Sequence, residues 1–213
     1  MTAETLNANW WLPLAGYLIG SAPFGFLIAR VAGQRDIRAA GSGSIGATNV
    51  TRIAGPAAGV LTLILDAAKG AFSVWLAAWF TGYSAVWMIG AALGAIVGHV
   101  FPIWLRGRGG RGVATGLGAY LVICWPAAVA ALGIWLVVVA VSRYVSLGSL
   151  MATASLPILT YFLYAPGYAP PLAISIGTIV GATLIIVKHR PNIERLMTGT
   201  ESRIEFRRGR AIQ

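Results

Sequence analysis

Charge is scarce in this sequence. Asp, Glu, Lys and Arg together make up 10% of its 213 residues, whereas soluble globular proteins carry roughly 25%. Acidic residues are the scarcest, with six against 16 Lys and Arg, while hydrophobic residues reach 57% and the mean hydropathy is +0.76. This balance excludes an ordinary soluble globular domain and indicates a polytopic integral membrane protein.

Cysteine, histidine and clustered acidic residues are also nearly missing. The single cysteine, Cys124, excludes a disulfide within the chain. With two histidines and six dispersed acidic residues, the sequence predicts no metal site and no cofactor. The Walker A pattern GxxxxGK followed by Ser or Thr does not occur. No linker, repeat or low-complexity tract divides the sequence, so we expect a single domain over residues 1–213.

Six apolar runs are long enough to cross a hydrocarbon core of about 30 Å. The run at 113–141 can form one tilted helix or two shorter ones, and Pro126 predicts a break, because proline lacks an N–H and clashes with the preceding turn. Two crossings there give an all-α fold with seven transmembrane segments. The runs cover residues 10–30, 56–80, 84–105, 113–141, 145–164 and 171–187.

The uneven distribution of basic residues orients these segments. Basic residues cluster at 30–52, at 106–111 and from 188 onward, whereas the connections near 81–83, 124–126 and 165–170 carry none. Because Lys and Arg gather in cytoplasmic loops, seven segments place every basic cluster on the cytoplasmic side, with the N-terminus outside and the C-terminus inside. The net charge of +10 thus reflects membrane orientation, and we expect the lipid bilayer, not nucleic acid, as a partner.

Three polar segments fall on that cytoplasmic side. Glycine lets backbone N–H groups converge on an anion, a helix start adds a positive end, and arginine adds bidentate hydrogen bonds. The sequence therefore predicts a shared phosphate site. The segments read GSGSIGATNVTR (41–52), GHVFPIWLRGRGGRGVATG (98–116) and HRPNIERLMTGTE (189–201). The candidate ligands in the first two are Gly41, Ser42, Gly43, Ser44, Thr48, Asn49, Arg52, Arg108, Gly109, Gly110, Arg111 and Gly112.

Two pairs of polar residues are each open to a structural and a functional interpretation. Asp66 and Lys69, three residues apart in an apolar run, can pair on one helix face. The pair is either structural or functional, which makes Lys69 a candidate substrate-binding residue. His99 either bonds a backbone carbonyl or binds the substrate, whereas His189, in a basic segment with Asn192, favours a catalytic or substrate-binding role.

The three polar segments resemble, in order, the motifs of the PlsY family of bacterial membrane acyl-phosphate:glycerol-3-phosphate acyltransferases. Those motifs read approximately GSGNIGATNxxR, GHxFPxxxxFKGGKGVAT and HRxNIxRLxxGTE. The DxxKG pattern at 66–70 and RYVSL at 143–147 are smaller similarities. The resemblance implies seven helices in the bacterial inner membrane, with the motifs on the cytoplasmic side.

The resemblance also implies a reaction. A fatty acyl group would pass from an acyl phosphate to the 1-hydroxyl of glycerol 3-phosphate, giving lysophosphatidic acid and inorganic phosphate. An enzyme that forms the acyl phosphate is the implied upstream partner. Because an acyl phosphate is a mixed anhydride with a good leaving group, we expect no covalent acyl-enzyme. The proton of the hydroxyl goes either to His189 or to an oxygen of a substrate phosphate.

Matching the motifs residue by residue assigns roles. The loop 109–112 matches the family's glycerol 3-phosphate loop, and Glu201 matches a glutamate with a structural role. This chain has Ser44 in place of an asparagine and Gly107 in place of an aromatic residue. At 108 and 111 it has arginine, a planar fork, where the family has lysine, a point charge. The catalytic candidates are Ser42, Arg52, Arg111, His189 and Asn192.

Two other functions compete with this interpretation. A transporter of organic phosphates would explain cationic loops, but transporters tend to have inverted repeats and a site near the membrane midplane. An acyltransferase that uses acyl-CoA through an HxxxxD motif is the second. His189 followed by Glu194 is a near match to that motif, with the wrong acid.

Single-cysteine labelling tests the predicted topology. In a Cys124→Ala background, Glu4→Cys and Glu205→Cys should react with a membrane-impermeant maleimide from opposite sides, since an odd number of crossings separates the two positions. Reaction of both cysteines from the same side would reject an odd number of segments.

Overall fold

The computed structural model describes residues 8–34, 36–165 and 167–204. These residues are mainly helical, with short turns and loops between the helices. The predicted outside N-terminus and the basic residues Arg35, Arg207, Arg208 and Arg210 lie outside the described residues. In chain order the helices are α1 (Trp11–Gly20), α2 (Phe24–Val31), α3 (Ala47–Ala54), α4 (Pro56–Thr81), α5 (Ala85–Val100), α6 (Val113–Ile123), α7 (Trp125–Ser142), α8 (Val145–Leu163), α9 (Leu172–Lys188) and α10 (Arg190–Met197).

The lengths and apolar character of these helices confirm a protein with several membrane spans. Within the described ranges, five stretches can cross a membrane: Trp11–Val31, Pro56–Thr81, Ala85–Leu105, Trp125–Ser142 and Val145–Leu163. A sixth is counted if α9 and α10, which meet at a bend of 55°, form one span. The shorter apolar helix α6 is a further candidate. The count of seven segments stays a prediction.

The predicted break in the run 113–141 is confirmed. Helix α6 ends at Ile123 and α7 begins at Trp125, with Cys124 in a non-helical conformation between them. Pro126 sits in the first turn of α7, where a missing N–H leaves no hydrogen bond unmade. Proline therefore starts the second helix and does not kink a single long one.

The first apolar run, expected to be continuous over 10–30, is interrupted. Helix α1 ends at Gly20, and α2 begins at Phe24 after Pro23. A helix break leaves backbone carbonyls without an intrahelical partner. The carbonyl oxygen of Ala22 accepts a hydrogen bond from the Lys69 ammonium at 2.8 Å. A charged residue of α4 thus stabilises the break in the first span.

Glycines bring the helices into close contact. A methyl group at Gly94 or Gly98 of α5 would lie 2.2 or 2.1 Å from a backbone oxygen of α1, so these glycines serve packing. Between α4 and α6, a methyl group at Gly70 would lie 2.0 Å from the Thr115 oxygen, and one at Gly118 would lie 1.8 Å from the Ala67 oxygen. The close α4–α6 pair fixes the start of α6, where the second polar segment ends.

Candidate active site

A buried asparagine folds the first polar segment. Asn49, 1% exposed in the first turns of α3, accepts the N–H of Ser42 at 2.9 Å. Its amide nitrogen donates to the carbonyl oxygens of Ala40 at 3.1 Å and Ser44 at 2.9 Å. The Asn49 side chain therefore supplies hydrogen-bond partners for backbone groups that have none from a helix or a sheet. The loop is held in one conformation before any ligand arrives.

The glycines of this loop are required by its backbone conformation. Gly41 and Gly43 have φ angles of +60° and +70°, values that side chains disfavour. Residues 41–46 also spell GxGxxG, the dinucleotide-binding pattern, which needs a preceding strand. Here the segment follows a 3₁₀ turn at Ile37–Ala39 and leads into α3, so the dinucleotide interpretation does not apply.

The second polar segment turns back against the end of α5. The Gly110 N–H donates to the carbonyl oxygen of His99 at 3.0 Å, and His99 itself is 3% exposed. Gly112, with a φ of +89°, then starts α6. Helix α3 begins at Ala47 and α6 at Val113, and both residues line one cavity. The N-terminal ends of these two helices therefore lie at the same cavity.

His189 lies at the bend between α9 and α10 and is almost fully buried. Its Nδ1 lies 2.8 Å from the carbonyl oxygen of Ile185. Because a carbonyl can only accept, Nδ1 carries the proton and Nε2 is an acceptor. Burial lowers the pKa of His189 to about 4, with a smaller contribution in the same direction from the nearby Arg111 charge and an opposing one from the Ile185 hydrogen bond. The ring is therefore neutral near pH 7.

Glu201 joins the other polar groups of the third segment. The Asn192 amide donates to its Oε1 at 2.7 Å, and Arg195 Nε donates to its Oε2 at 2.6 Å. Burial alone would raise the pKa of Glu201, but the hydrogen bonds, that of Asn192 first among them, hold it below its ordinary value. Among the described residues, the Asn192 side-chain oxygen Oδ1 is buried without a hydrogen-bond partner. Glu201 thus holds the Asn192 side chain through its amide nitrogen and leaves Oδ1 able to accept a further hydrogen bond.

Residues of all three polar segments line one cavity. Some predicted site residues line it and others, within the described ranges, do not. The lining residues are Ser44, Thr48, Asn49, Arg52, His99, Arg111, Gly112, His189 and Asn192. Those outside the lining are Gly41, Ser42, Gly43, Lys69, Arg108, Gly109 and Gly110.

Two arginines make the polar end of the cavity a site for anions. Neither Arg52 nor Arg111 makes a side-chain hydrogen bond or ion pair with any residue in the described part of the chain. Burial lowers the pKa of Arg111 to about 10, although the Glu201 carboxylate opposes this shift. Arg111 therefore keeps its charge near pH 7. Two unpaired cations beside two helix starts are a strong attraction for phosphate.

The other end of the cavity is an apolar slot between α6, α7 and α8. Small residues of α7 leave room for this slot. The Tyr120 hydroxyl donates to Thr178 Oγ1 at 2.6 Å, so it is not left unpaired in an apolar environment. The slot is lined by Leu117, Tyr120, Ala128, Ala131, Leu132, Trp135, Ala152 and Leu156. A cavity with a cationic end and an apolar slot fits an amphiphile with an anionic head.

Sequence reasoning missed part of this lining. The slot residues look like ordinary membrane-helix residues, so nothing in their pattern separates them from lipid-facing ones. Ser146, Asp66 and Glu201 also line the cavity. The similarity to RYVSL at 143–147 was the one signal for Ser146.

Known proteins share both the sequence and the fold. A family model described as glycerol-3-phosphate acyltransferase matches residues 10–199. A glycerol-3-phosphate acyltransferase of Mesorhizobium japonicum is 46% identical over 189 residues, which cover 89% of this chain and 92% of that protein. Another, from Gluconobacter oxydans, is 46% identical over 202 residues, covering 91% of this chain and 92% of the relative.

Two crystal structures of PlsY (YgiH), an integral membrane glycerol 3-phosphate acyltransferase, have the same fold. The glycerol 3-phosphate form is 37% identical with a TM-score of 0.86, and covers 93% of this chain and 96% of that one. The lysophosphatidic acid form is 36% identical with a TM-score of 0.84 and the same coverage. On its sequence, its fold and the motifs gathered at its cavity, the chain belongs to the PlsY family of glycerol-3-phosphate acyltransferases.

Proposed function

We propose that this protein transfers a fatty acyl group from an acyl phosphate to the 1-hydroxyl of glycerol 3-phosphate. The products are lysophosphatidic acid and inorganic phosphate. The observation that carries this proposal is the single cavity that joins the unpaired Arg52 and Arg111 to the apolar slot. Both substrates bring a phosphate to the cationic end, and only the donor brings a long alkyl chain, which the slot accommodates.

The proposed arrangement has seven membrane segments, with α6 and α9 as the two short ones, in a bacterial inner membrane. The cavity then opens to the cytoplasm, where both glycerol 3-phosphate and an upstream enzyme that forms acyl phosphate are found. The one-sided distribution of basic residues supports this orientation. The acyl chain can remain within the thickness of the bilayer while its phosphate reaches Arg52 and Arg111.

Catalysis in this site is positioning together with charge stabilisation. The glycerol oxygen forms a bond to the carbonyl carbon of the donor, and the bond from that carbon to the phosphate oxygen breaks. Arg111, the 109–112 loop and the start of α6 bind the phosphate of glycerol 3-phosphate. Arg52 and the start of α3 stabilise the negative charge on the departing phosphate, and Ser42 and Asn49 hold the loop that carries the first turn of α3. Holding the two reactants together supplies most of the rate.

The proton of the attacking hydroxyl goes to a phosphate oxygen of a substrate in this proposal. His189 has a pKa of about 4, so it is a weak base near pH 7, whereas the second pKa of a phosphate monoester is about 6. The free Nε2 of His189 accepts a hydrogen bond from the 2-hydroxyl of glycerol 3-phosphate and so orients the neighbouring 1-hydroxyl, whose own proton points to the phosphate oxygen. The Asn192 side-chain oxygen Oδ1, with no partner among the described residues, is the alternative acceptor for the 2-hydroxyl.

The choice of acyl donor tests the proposed function. Purified protein with palmitoyl phosphate and glycerol 3-phosphate should form lysophosphatidic acid with no added metal or nucleotide. Palmitoyl-CoA should give little product, because the short loops around the cavity offer no surface for its adenine end. Equal rates with the two donors would overturn the acyl-phosphate proposal in favour of an acyl-CoA-dependent enzyme.

Two arginines of the second segment form a matched pair for testing the phosphate contact. Arg111 lines the cavity, whereas Arg108 is exposed and does not line it within the described ranges. Arg111→Ala should raise the KM for glycerol 3-phosphate about 10- to 100-fold, the loss expected for a charge-assisted hydrogen bond. Arg108→Ala should change it by less than about threefold. Equal effects of the two substitutions would refute the assignment of Arg111.

A further inference from the structure

Three ionisable side chains form a buried cluster beneath the glycine loop of the second segment. Asp66 and Lys69 belong to α4 and His99 to α5, and their exposed fractions are 2%, 4% and 3%. The Lys69 ammonium lies 2.8 Å from Asp66 Oδ1, so the predicted ion pair is confirmed. It also donates to the Ala22 oxygen in the break of the first span. The cluster thus ties α4 to α5 and to the break between α1 and α2.

Stability alone gives a poor account of this cluster. Desolvation of a buried ion pair costs several kcal/mol per ion, and well-packed apolar residues are often as stable in its place. Inside a membrane the cost is higher still. A cluster that is expensive to build and adjoins the cavity therefore has a function other than holding helices together.

The link between the cluster and the phosphate site is His99. Its backbone oxygen accepts the Gly110 N–H at 3.0 Å. Its ring lies against the same residue, because a methyl group at Gly110 would come within 2.0 Å of Nε2. Gly110 does not have the left-handed φ of Gly107 or Gly112. Its lack of a side chain is therefore required by the His99 ring and not by the backbone.

The orientation of the His99 ring depends on the ion pair. His99 Nδ1 lies 3.5 Å from Asp66 Oδ1, longer than a good hydrogen bond but close enough to set which edge of the ring faces the carboxylate. The Lys69 ammonium, 2.8 Å from the same oxygen, fixes the position of the carboxylate. The ring edge with Nε2 then faces Gly110, one residue before Arg111 and three before the start of α6.

The geometry points to Asp66, Lys69 and His99 as a positioning unit for glycerol 3-phosphate binding. Contact with the His99 ring determines how closely the 109–112 loop approaches α5, and with it the positions of Arg111 and of the first turn of α6. The ion pair in turn holds His99 in place. This role rests on the proposed function, since the group that the loop is positioned to bind is the phosphate of glycerol 3-phosphate. It differs from a direct contact, in which His99 would itself bind the substrate.

A double-variant experiment separates the two roles. Gly110→Ala should raise the KM for glycerol 3-phosphate about tenfold or more, because the new methyl group displaces the loop from the ring. Adding His99→Ala makes room for that methyl group, so the double variant should recover at least about threefold of the loss. If His99 bound the substrate directly, the two losses would multiply. Multiplication would overturn the proposal.

Gly112 provides the matched control in the same loop. A methyl group there would meet Ile96, Ile185 and Val100 and not His99, and the φ of +89° strains any side chain. His99→Ala should therefore give no rescue of Gly112→Ala. Rescue of both glycine variants alike would mean a general loosening of the protein and would contradict the proposed unit.

A milder variant covers the case in which the alanine variants do not fold. His99→Asn keeps a donor near Asp66 and removes the ring edge at Gly110. It should raise the KM for glycerol 3-phosphate about five- to tenfold while kcat falls less than about threefold. A fall in kcat with unchanged KM would overturn the proposal. Wild-type protein that makes no lysophosphatidic acid in the same assay would instead be a failure of the proposed function.

Discussion

Irregular backbone beside a lipid bilayer needs hydrogen-bond partners from within the protein, and the architecture of this site follows from that need. Asn49 satisfies the first polar loop by accepting from Ser42 and donating to the carbonyl oxygens of Ala40 and Ser44. The His99 carbonyl satisfies the second loop through Gly110. Because residues other than Arg52 and Arg111 complete these loops, the two arginines stay available for a ligand. The loops are complete without a ligand, and in the proposed reaction the substrate phosphates balance the charge of the two arginines.

The electrostatics of the cavity then favour the binding of a phosphate. Arg111 is desolvated enough to lower its pKa to about 10, yet it remains charged, and a desolvated cation interacts more strongly with an anion than a hydrated one does. The same burial keeps His189 neutral, so in the proposed reaction its ring can orient the glycerol without adding a third positive charge. Burial at the end of a helix bundle therefore explains two properties of the site, the strong attraction of Arg111 for an anion and the weak basicity of His189.

Much of this site could be predicted from sequence, because glycine, arginine and helix starts have chemistry that does not depend on the rest of the fold. The break at Cys124 was visible from Pro126, and the pairing of Asp66 with Lys69 from their spacing. The apolar slot could not be predicted, since Ala131 or Leu132 in a membrane helix gives no sign of whether it faces lipid or a cavity. Nor could the position of Lys69, which depends on a helix break at Ser21–Pro23 that brings the Ala22 oxygen within its reach.

The central claim is that the acyl group moves directly from phosphate to glycerol 3-phosphate within one cavity. The most direct test is exchange of radiolabelled inorganic phosphate into palmitoyl phosphate in the absence of glycerol 3-phosphate. Direct transfer requires the second substrate, so label should enter palmitoyl phosphate no faster than without protein, although the same preparation makes lysophosphatidic acid when glycerol 3-phosphate is added. Exchange at a rate comparable with turnover would demonstrate an acyl-enzyme and would contradict the account.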